Sequence, residues 1–364
     1  AGDLLANKWR DRINAATMLN QSKNVYQAEI DSACELIDFF NFNASFSENI
    51  NNKQDLISPA GMKNYLEYRP LEGFVFAIAP FNFTSIAGNL PAAPALMGNV
   101  SLWKPASSAI LACYYLMEMF QEAGLPNGVI NFLPGDGKIV GDPILNNSNL
   151  AGVHFTGSTK TFNHIWKTIG SNIDNYKTYP RIVGETGGKD FCLAHSSSDE
   201  EVLVTAMVRG AFEYQGQKCS AMSRAYIPSS IWPSVENKLI SELNTIKVGS
   251  PRDCSNFMNA VIDKSAFNSI TSYIDYAKKD NDAKIIFGGG YDDSKGYFID
   301  PTVILTTNPN FKTMEEEIFG PVLTIFIYED ENWEETIHLV DTTSAYALTG
   351  CIIALDKEIL TEIK

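Results

Sequence analysis

Apolar residues near the start of the chain recur at helical spacing. Ile30, Ala33, Cys34, Ile37 and Phe40 fall on one face of a repeat of about 3.6 residues, so residues 1–47 are predicted to form one or two amphipathic helices. A polar, Asn-rich stretch from Asn41 to Asn52, followed by Pro59 and Gly61, reads as a loop. The pattern then changes to short β-rich runs alternating with helical segments: Phe74–Ala79, Ser101–Lys104, Val129–Leu133, Gly152–Phe155 and Arg181–Gly184. They recur every roughly 25–30 residues, the spacing of βαβ units. A Rossmann-like parallel sheet with helices on both faces follows.

Beyond Gly188 the texture shifts. A helical stretch (Asp199 to Tyr214) leads to a polar loop around Cys219, a strand near Ala225-Tyr226-Ile227 and a helix from Trp232 to Leu243. Gly288-Gly289-Gly290 marks a tight turn before a strand-like run from Gly296 to Ile304. Val322–Tyr328, a helix from Trp333 to Val340 and the apolar Gly350–Leu355 complete a second α/β unit. Two glycines give the chain freedom to cross between domains, so the boundary is set at Gly187-Gly188, with domains over 1–187 and 188–364.

At 364 residues each domain can bury a substantial core. The formal charge of −15 argues against a nucleic-acid partner, which wants clustered Lys and Arg. It leaves an anionic cofactor open, because local backbone donors bind phosphate against the global field. Six cysteines without CxxC spacing favour a reducing compartment. Four histidines without HxxxH or Cys/His clustering give no reason to expect a metal. No apolar run approaches the roughly 20 residues that span a bilayer, so membrane insertion is not expected. No targeting segment opens the chain, and both ends read as cut: residue 1 falls just before a helical pattern, and Lys357 to Lys364 form another.

Several short motifs carry candidate chemistry. Cys219, in Gly216-Gln217-Lys218-Cys219-Ser220-Ala221, sits among polar neighbours where a thiolate could be exposed and stabilised; a lone Cys is otherwise a small buried hydrophobe. A protease-like pairing needs a His base, and the nearest in sequence, His195, lies in a polar run that serves equally as a helix cap. Glu185, in Gly184-Glu185-Thr186-Gly187-Gly188-Lys189, ends the fifth run at the carboxyl edge of the sheet and is the candidate general base, or a surface Glu at a turn. Asn82, in Pro80-Phe81-Asn82-Phe83, offers an amide donor for an oxyanion, or plain turn chemistry. Gly135-Asp136-Gly137 with Gly141 misses the spacing of a dinucleotide fingerprint and follows the third run, not the first. Gly157, Ser158, Thr159, Lys160 and Thr161 open a helix directly after a strand and suit a pyrophosphate better. Lys104 could reach adenosine ribose hydroxyls, or be an ordinary edge lysine.

Taken in order, Asn82, Lys104-Pro105, Gly157-Ser158, Glu185-Thr186-Gly187-Gly188-Lys189, Gly216-Gln217-Lys218-Cys219 and Glu317-Ile318-Phe319-Gly320-Pro321 closely resemble the aldehyde dehydrogenase superfamily, essentially from end to end. The wording around Phe81 to Thr84, Phe212 to Ala221 and Ala28 to Phe40 is similar to the branch that oxidises glutamate γ-semialdehyde. Pro91 replaces a helix lysine common elsewhere in the superfamily, which fits that branch. The resemblance implies a cofactor domain plus a catalytic domain and NAD-dependent oxidation of L-glutamate γ-semialdehyde to L-glutamate in proline catabolism. Cys219 would attack the aldehyde, Asn82 hold the oxyanion and Glu185 activate water. Glu317 and Phe319 would position the nicotinamide ribose, with Lys104 and Gly157 to Thr161 on the rest of NAD. Glu35 is implied near the substrate amine, Ser220 near its carboxylate and Phe83 on its aliphatic part; for Glu35 a solvated helix carboxylate is the other reading. Ser107 stands where many relatives carry an acid that repels a 2′-phosphate, so NAD use is weakly marked. The resemblance further implies a mitochondrial matrix address, a homo-oligomer, and a substrate-anchoring loop and oligomerisation strand beyond Lys364. Another short semialdehyde as substrate, or an inactive dinucleotide-fold module, are the competing readings.

Overall fold

A computed structural model describes residues 1–54 and 56–363; Lys364, the end of the predicted last helix, lies outside the described residues. The chain divides into two compact units, one of residues 1–21 and 25–186, the other of residues 22–24 and 187–364.

The first unit opens with helices α1 (Gly2–Ala6), α2 (Arg10–Gln21), α3 (Val25–Ala28) and α4 (Glu35–Asn52), the last two joined by a wider π-type turn over Glu29–Cys34. The predicted loop at Asn41–Asn52 is therefore helical. Asn is a poor helix former, but contacts along the helix and to Asn89 offset this here. Phe42 and Phe46 stack one turn apart with ring centroids 6.1 Å apart, and the Asn43 amide donates to Asn89 Oδ1 at 2.8 Å.

All five predicted runs are strands: β1 (Phe74–Ile78), β2 (Val100–Lys104), β3 (Ile130–Phe132), β4 (Leu150–Thr156) and β5 (Arg181–Glu185). They form one parallel sheet in the order β3-β2-β1-β4-β5. Alternate residues feed opposite cores, as the two-residue period of a strand requires. Ala77 and Trp103 pack with helices α5 (Thr84–Leu96) and α6 (Ile110–Glu122), whereas Phe76, Val153 and Phe155 pack with α7 (Gly137–Leu145) and α8 (Thr159–Ser171).

The second unit contains β6 (Asp190–Ala194), α9 (Glu200–Phe212), β7 (Met222–Pro228), α10 (Trp232–Leu243), α11 (Lys264–Ala277), β8 (Ala283–Phe287), the hairpin β9 (Tyr291–Asp292) and β10 (Phe298–Ile299), β11 (Thr302–Thr306), α12 (Lys312–Glu315), β12 (Val322–Tyr328), α13 (Trp333–Thr342), β13 (Gly350–Ile353) and α14 (Lys357–Glu362). Its six-stranded sheet runs β13-β6-β7-β12-β11-β8, parallel except where β8 meets β11. The expected strand Gly296–Ile304 is split. Pro301 has no N–H to donate, so Phe298–Ile299 turns back on Tyr291–Asp292 while Thr302–Thr306 joins the main sheet.

Ser22–Asn24 packs as part of this second unit. Lys23 lies 4.3 Å above the Tyr214 ring, the Gln215 amide donates to the Ser22 carbonyl at 3.1 Å, and Asn24 donates to the Phe257 carbonyl at 3.3 Å. Among the described residues no helix is long and apolar enough to cross a membrane.

Candidate active site

In the first unit the candidate residues gather along the carboxyl ends of the parallel strands, where ligands collect in open α/β sheets. The strand order reverses at β1, between β2 and β4, so the β1 and β4 ends flank the switch point. Asn82 follows β1 and is buried at 4% exposure, with buried Phe83 directly ahead of α5. Lys104 ends β2, also buried, and its ammonium donates to the Pro105 carbonyl at 3.0 Å. Burial pushes its pKa down, and the Asp136 carboxylate works against that shift.

At the end of β4 the backbone turns sharply into α8. A side chain at Gly157 would meet the Phe155 ring at 2.8 Å, so glycine leaves the turn open to close approach. Ser158 caps the helix, its hydroxyl accepting from Thr161 N at 3.3 Å and lying 2.9 Å from Thr161 Oγ1. Thr159 Oγ1 is buried without a hydrogen bond among the described residues. An orphaned hydroxyl beside open N–H groups fits a phosphate oxygen. Glu185 ends β5 next door: it pairs in register with Thr156, its carbonyl accepts from Gly157 N at 3.2 Å, and its side chain is exposed. Glu35, at the start of α4, is half-buried and accepts from the Ser85 hydroxyl at 2.5 Å, so it is not simply a solvated helix carboxylate.

In the second unit the loop before Cys219 is held in a costly backbone. Tyr214 (φ 51°), Gln215 (φ 56°) and Gly216 (φ 64°) are all left-handed. Such residues persist only where surrounding contacts over-determine them. Here two carboxamides do so: Gln215 donates to the Ala260 carbonyl at 2.9 Å and accepts from Asn259 N at 3.0 Å, and Gln217 accepts from Ile262 N at 2.9 Å. A Cβ at Gly216 would lie 2.2 Å from the Gly320 carbonyl oxygen, and one at Gly188 would lie 2.4 Å from that of Cys219. Both glycines therefore let the Cys219 loop, the Gly187-Gly188 segment and the Glu317–Gly320 turn close on one another. Cys219 is half-buried and Ser220 exposed.

Glu317 is fixed in the same cluster. Gly188 N donates to its Oε1 at 3.0 Å, and a side chain at Gly187 would collide with its Oε2 at 2.3 Å. Burial raises its pKa, with the Gly188 bond and the charge of Lys189 pulling the other way. Phe319, two residues on, adopts a left-handed φ of 57°. Sequence reasoning gave no role to Lys189, although it stands in the quoted Glu-Thr-Gly-Gly-Lys run. It is buried, its ammonium makes no hydrogen bond among the described residues, and burial with nearby Arg224 lowers its pKa to about 7. Neighbouring Asp190 is raised to about 6, chiefly by burial. Only the burial of a short strand start marks this pair, which residue type alone does not reveal.

The sequence pattern of the aldehyde dehydrogenase family matches residues 1–364. The chain is 55% identical over 356 residues to the mitochondrial delta-1-pyrroline-5-carboxylate dehydrogenase of Dictyostelium discoideum, covering 97% of this chain and 64% of that protein. It is 47% identical over 363 residues to the mitochondrial delta-1-pyrroline-5-carboxylate dehydrogenase of Homo sapiens, covering 100% of this chain and 64% of that one. The crystal structure of the Mycobacterium tuberculosis delta-pyrroline-5-carboxylate dehydrogenase bound with NAD superimposes with a TM-score of 0.95 at 52% identity, over 100% of this chain and 66% of that chain. The chain thus spans just under two thirds of the length of these relatives.

Proposed function

The chain belongs to the aldehyde dehydrogenase family, and from that premise we propose that the protein oxidises L-glutamate γ-semialdehyde, the open form of Δ1-pyrroline-5-carboxylate, to L-glutamate with NAD, in proline catabolism. The relatives named above, and an NAD-bound structure among them, support this substrate and cofactor. Their mitochondrial names support a matrix address. A homo-oligomeric state is part of the same proposal.

The first unit is the NAD-binding domain in this reading and the second the catalytic domain. Gly157 to Thr161 would hold the pyrophosphate, Lys104 the adenosine ribose, and Glu317 with Phe319 the nicotinamide ribose. NAD, when bound, supplies the hydride acceptor. Cys219 attacks the aldehyde carbon to give a thiohemiacetal whose oxyanion takes a hydrogen bond from Asn82, worth about 3–4 kcal/mol in comparable sites. Glu185 takes a proton from the water that hydrolyses the thioester, releasing L-glutamate and restoring the thiol. Glu35, Phe83 and Ser220 are the proposed substrate contacts.

One observation carries the reading. The loop bearing Cys219 is built at the expense of two left-handed non-glycine residues, Tyr214 and Gln215, is pinned by two glutamine side chains to the Asn259–Ile262 segment, and packs through Gly216 against the Glu317–Gly320 turn. A small structural thiol needs no such scaffold. The test is NADH formation from purified protein with glutamate and succinate semialdehydes side by side. Cys219→Ser is expected to abolish turnover while NAD binding persists, and Glu185→Gln to leave a first-turnover burst with a depressed steady rate. Undiminished turnover by Cys219→Ser would refute the nucleophile, and faster turnover of succinate semialdehyde the substrate.

A further inference from the structure

Two cysteines outside the proposed chemistry face each other across neighbouring strands of the second unit. β6 and β13 run parallel, and their register sets Cys192 directly beside Cys351. Residues paired this way project to the same face of strands about 4.8 Å apart. Disulfides span Cα separations of about 4.4–6.8 Å, so the backbone spacing already suits a bridge. Both side chains pack against one apolar cluster, Cys192 fully buried and Cys351 half-buried on the strand that ends the sheet. The proximity of the two sulfurs, with burial, raises the pKa of Cys192, while Cys192 lowers that of Cys351. Of the two sulfurs, that of Cys351 is the more accessible to a peroxide from solvent.

We propose that Cys192 and Cys351 are a redox pair that hydroperoxides oxidise to a disulfide, latching strand β13 to β6. The Cys351 thiolate attacks a peroxide oxygen. The O–O bond breaks, hydroxide leaves and is protonated to water, and Cys351 becomes a sulfenic acid. Cys192 sulfur then attacks the Cys351 sulfur; the S–O bond breaks, and the departing hydroxide takes the Cys192 proton as a second water. The two thiols give up two electrons and two protons, and hydrogen peroxide is reduced to two waters. A small thiol such as dithiothreitol reverses the change by exchange.

Peptide mapping of the purified 364-residue chain tests this. After brief hydrogen peroxide treatment and alkylation in denaturant, the peptides bearing Cys192 and Cys351 are expected as one cross-linked species, lighter by two hydrogens, that dithiothreitol separates. Cys113, wholly buried with its thiol pushed up to about 12, is expected to be recovered alkylated. Amide exchange over Gly350–Ile353 is expected to slow in the oxidised protein. Recovery of Cys192 and Cys351 as separate alkylated peptides, while exposed Cys254 is oxidised, overturns the pair. Cys192→Ala strands the intermediate, so a sulfenic-acid probe is expected to label Cys351 in that variant. Absence of that label overturns the assignment of Cys351 as the attacking sulfur.

Discussion

Helices α7 and α8 both begin at the carboxyl ends of strands in the same sheet, yet they meet an incoming phosphate very differently. The start of α7 is already matched by a charge of the protein's own: the Asp136 carboxylate accepts from Lys138 N at 2.9 Å and Ile139 N at 3.2 Å. The start of α8 is capped by the neutral Ser158 hydroxyl, with Thr159 Oγ1 buried beside it and unbonded among the described residues. Free N–H groups and the helix dipole attract anions only where no fixed anion has taken the place. Glycine count would favour the other turn, because Gly135 and Gly137 flank Asp136 while the α8 turn has Gly157 alone. The charge of the capping residue is what distinguishes the two helix starts.

The sharpest way to break this comparison is to give α8 the cap of α7. Ser158→Asp keeps a good cap but sets a negative charge against the proposed pyrophosphate. At about 1–2 kcal/mol for a charge at a helix end, NAD affinity is expected to fall about tenfold by calorimetric titration. Unchanged affinity would move the phosphate elsewhere. Lys104→Met should weaken NAD by about fivefold, the loss of one charge-assisted contact of about 1 kcal/mol, with helix content unaltered by circular dichroism.

The smallest effect is expected from Asp136→Asn, with NAD affinity nearly unchanged and a small loss of thermal stability. Bonds from the Ile139 and Lys138 N–H groups hold the Asp136 carboxyl below its ordinary value. A depressed folded pKa stabilises fully above the unfolded value, about 3.9, and is lost as pH falls through the folded value. The difference in Tm between Asp136→Asn and the parent should therefore be complete at neutral pH and close in acid. A gap that persists in acid would assign the effect to shape instead of charge.

Much of this was legible in the chain because it rests on periodicity and turn chemistry. β1 to β5 each announce themselves as short β-rich runs, and Trp232–Leu243 is a helix over the predicted span. Where local and tertiary preferences conflict, reading fails. Asn41 to Asn52 reads as a loop by composition yet is helical, with Asn43 bonded across to Asn89 and Phe42 and Phe46 stacked along the helix. The π-type turn at Glu29–Cys34 leaves no mark in residue spacing; Arg10 and Asn14, both on α2, engage Glu29 there. Helix α11 carries Phe267, Ile270, Ile274 and Ala277 at helical spacing, a pattern present but unread. At the site, Cys219 and Glu317 stood out as residue types. Their support did not: Gln215 and Gln217 hold the loop through backbone partners that only the folded chain brings near.

The peg formed by Ser22, Lys23 and Asn24 has a consequence in time. Its partner Gln215 lies 193 residues later in the chain. At ribosomal speeds of about 5–20 residues per second, the peg waits roughly 10–40 s before that glutamine exists. The Cys219 loop thus takes one of its anchors from a segment made well before it, and that anchor forms only when stretches 193 residues apart in the chain meet.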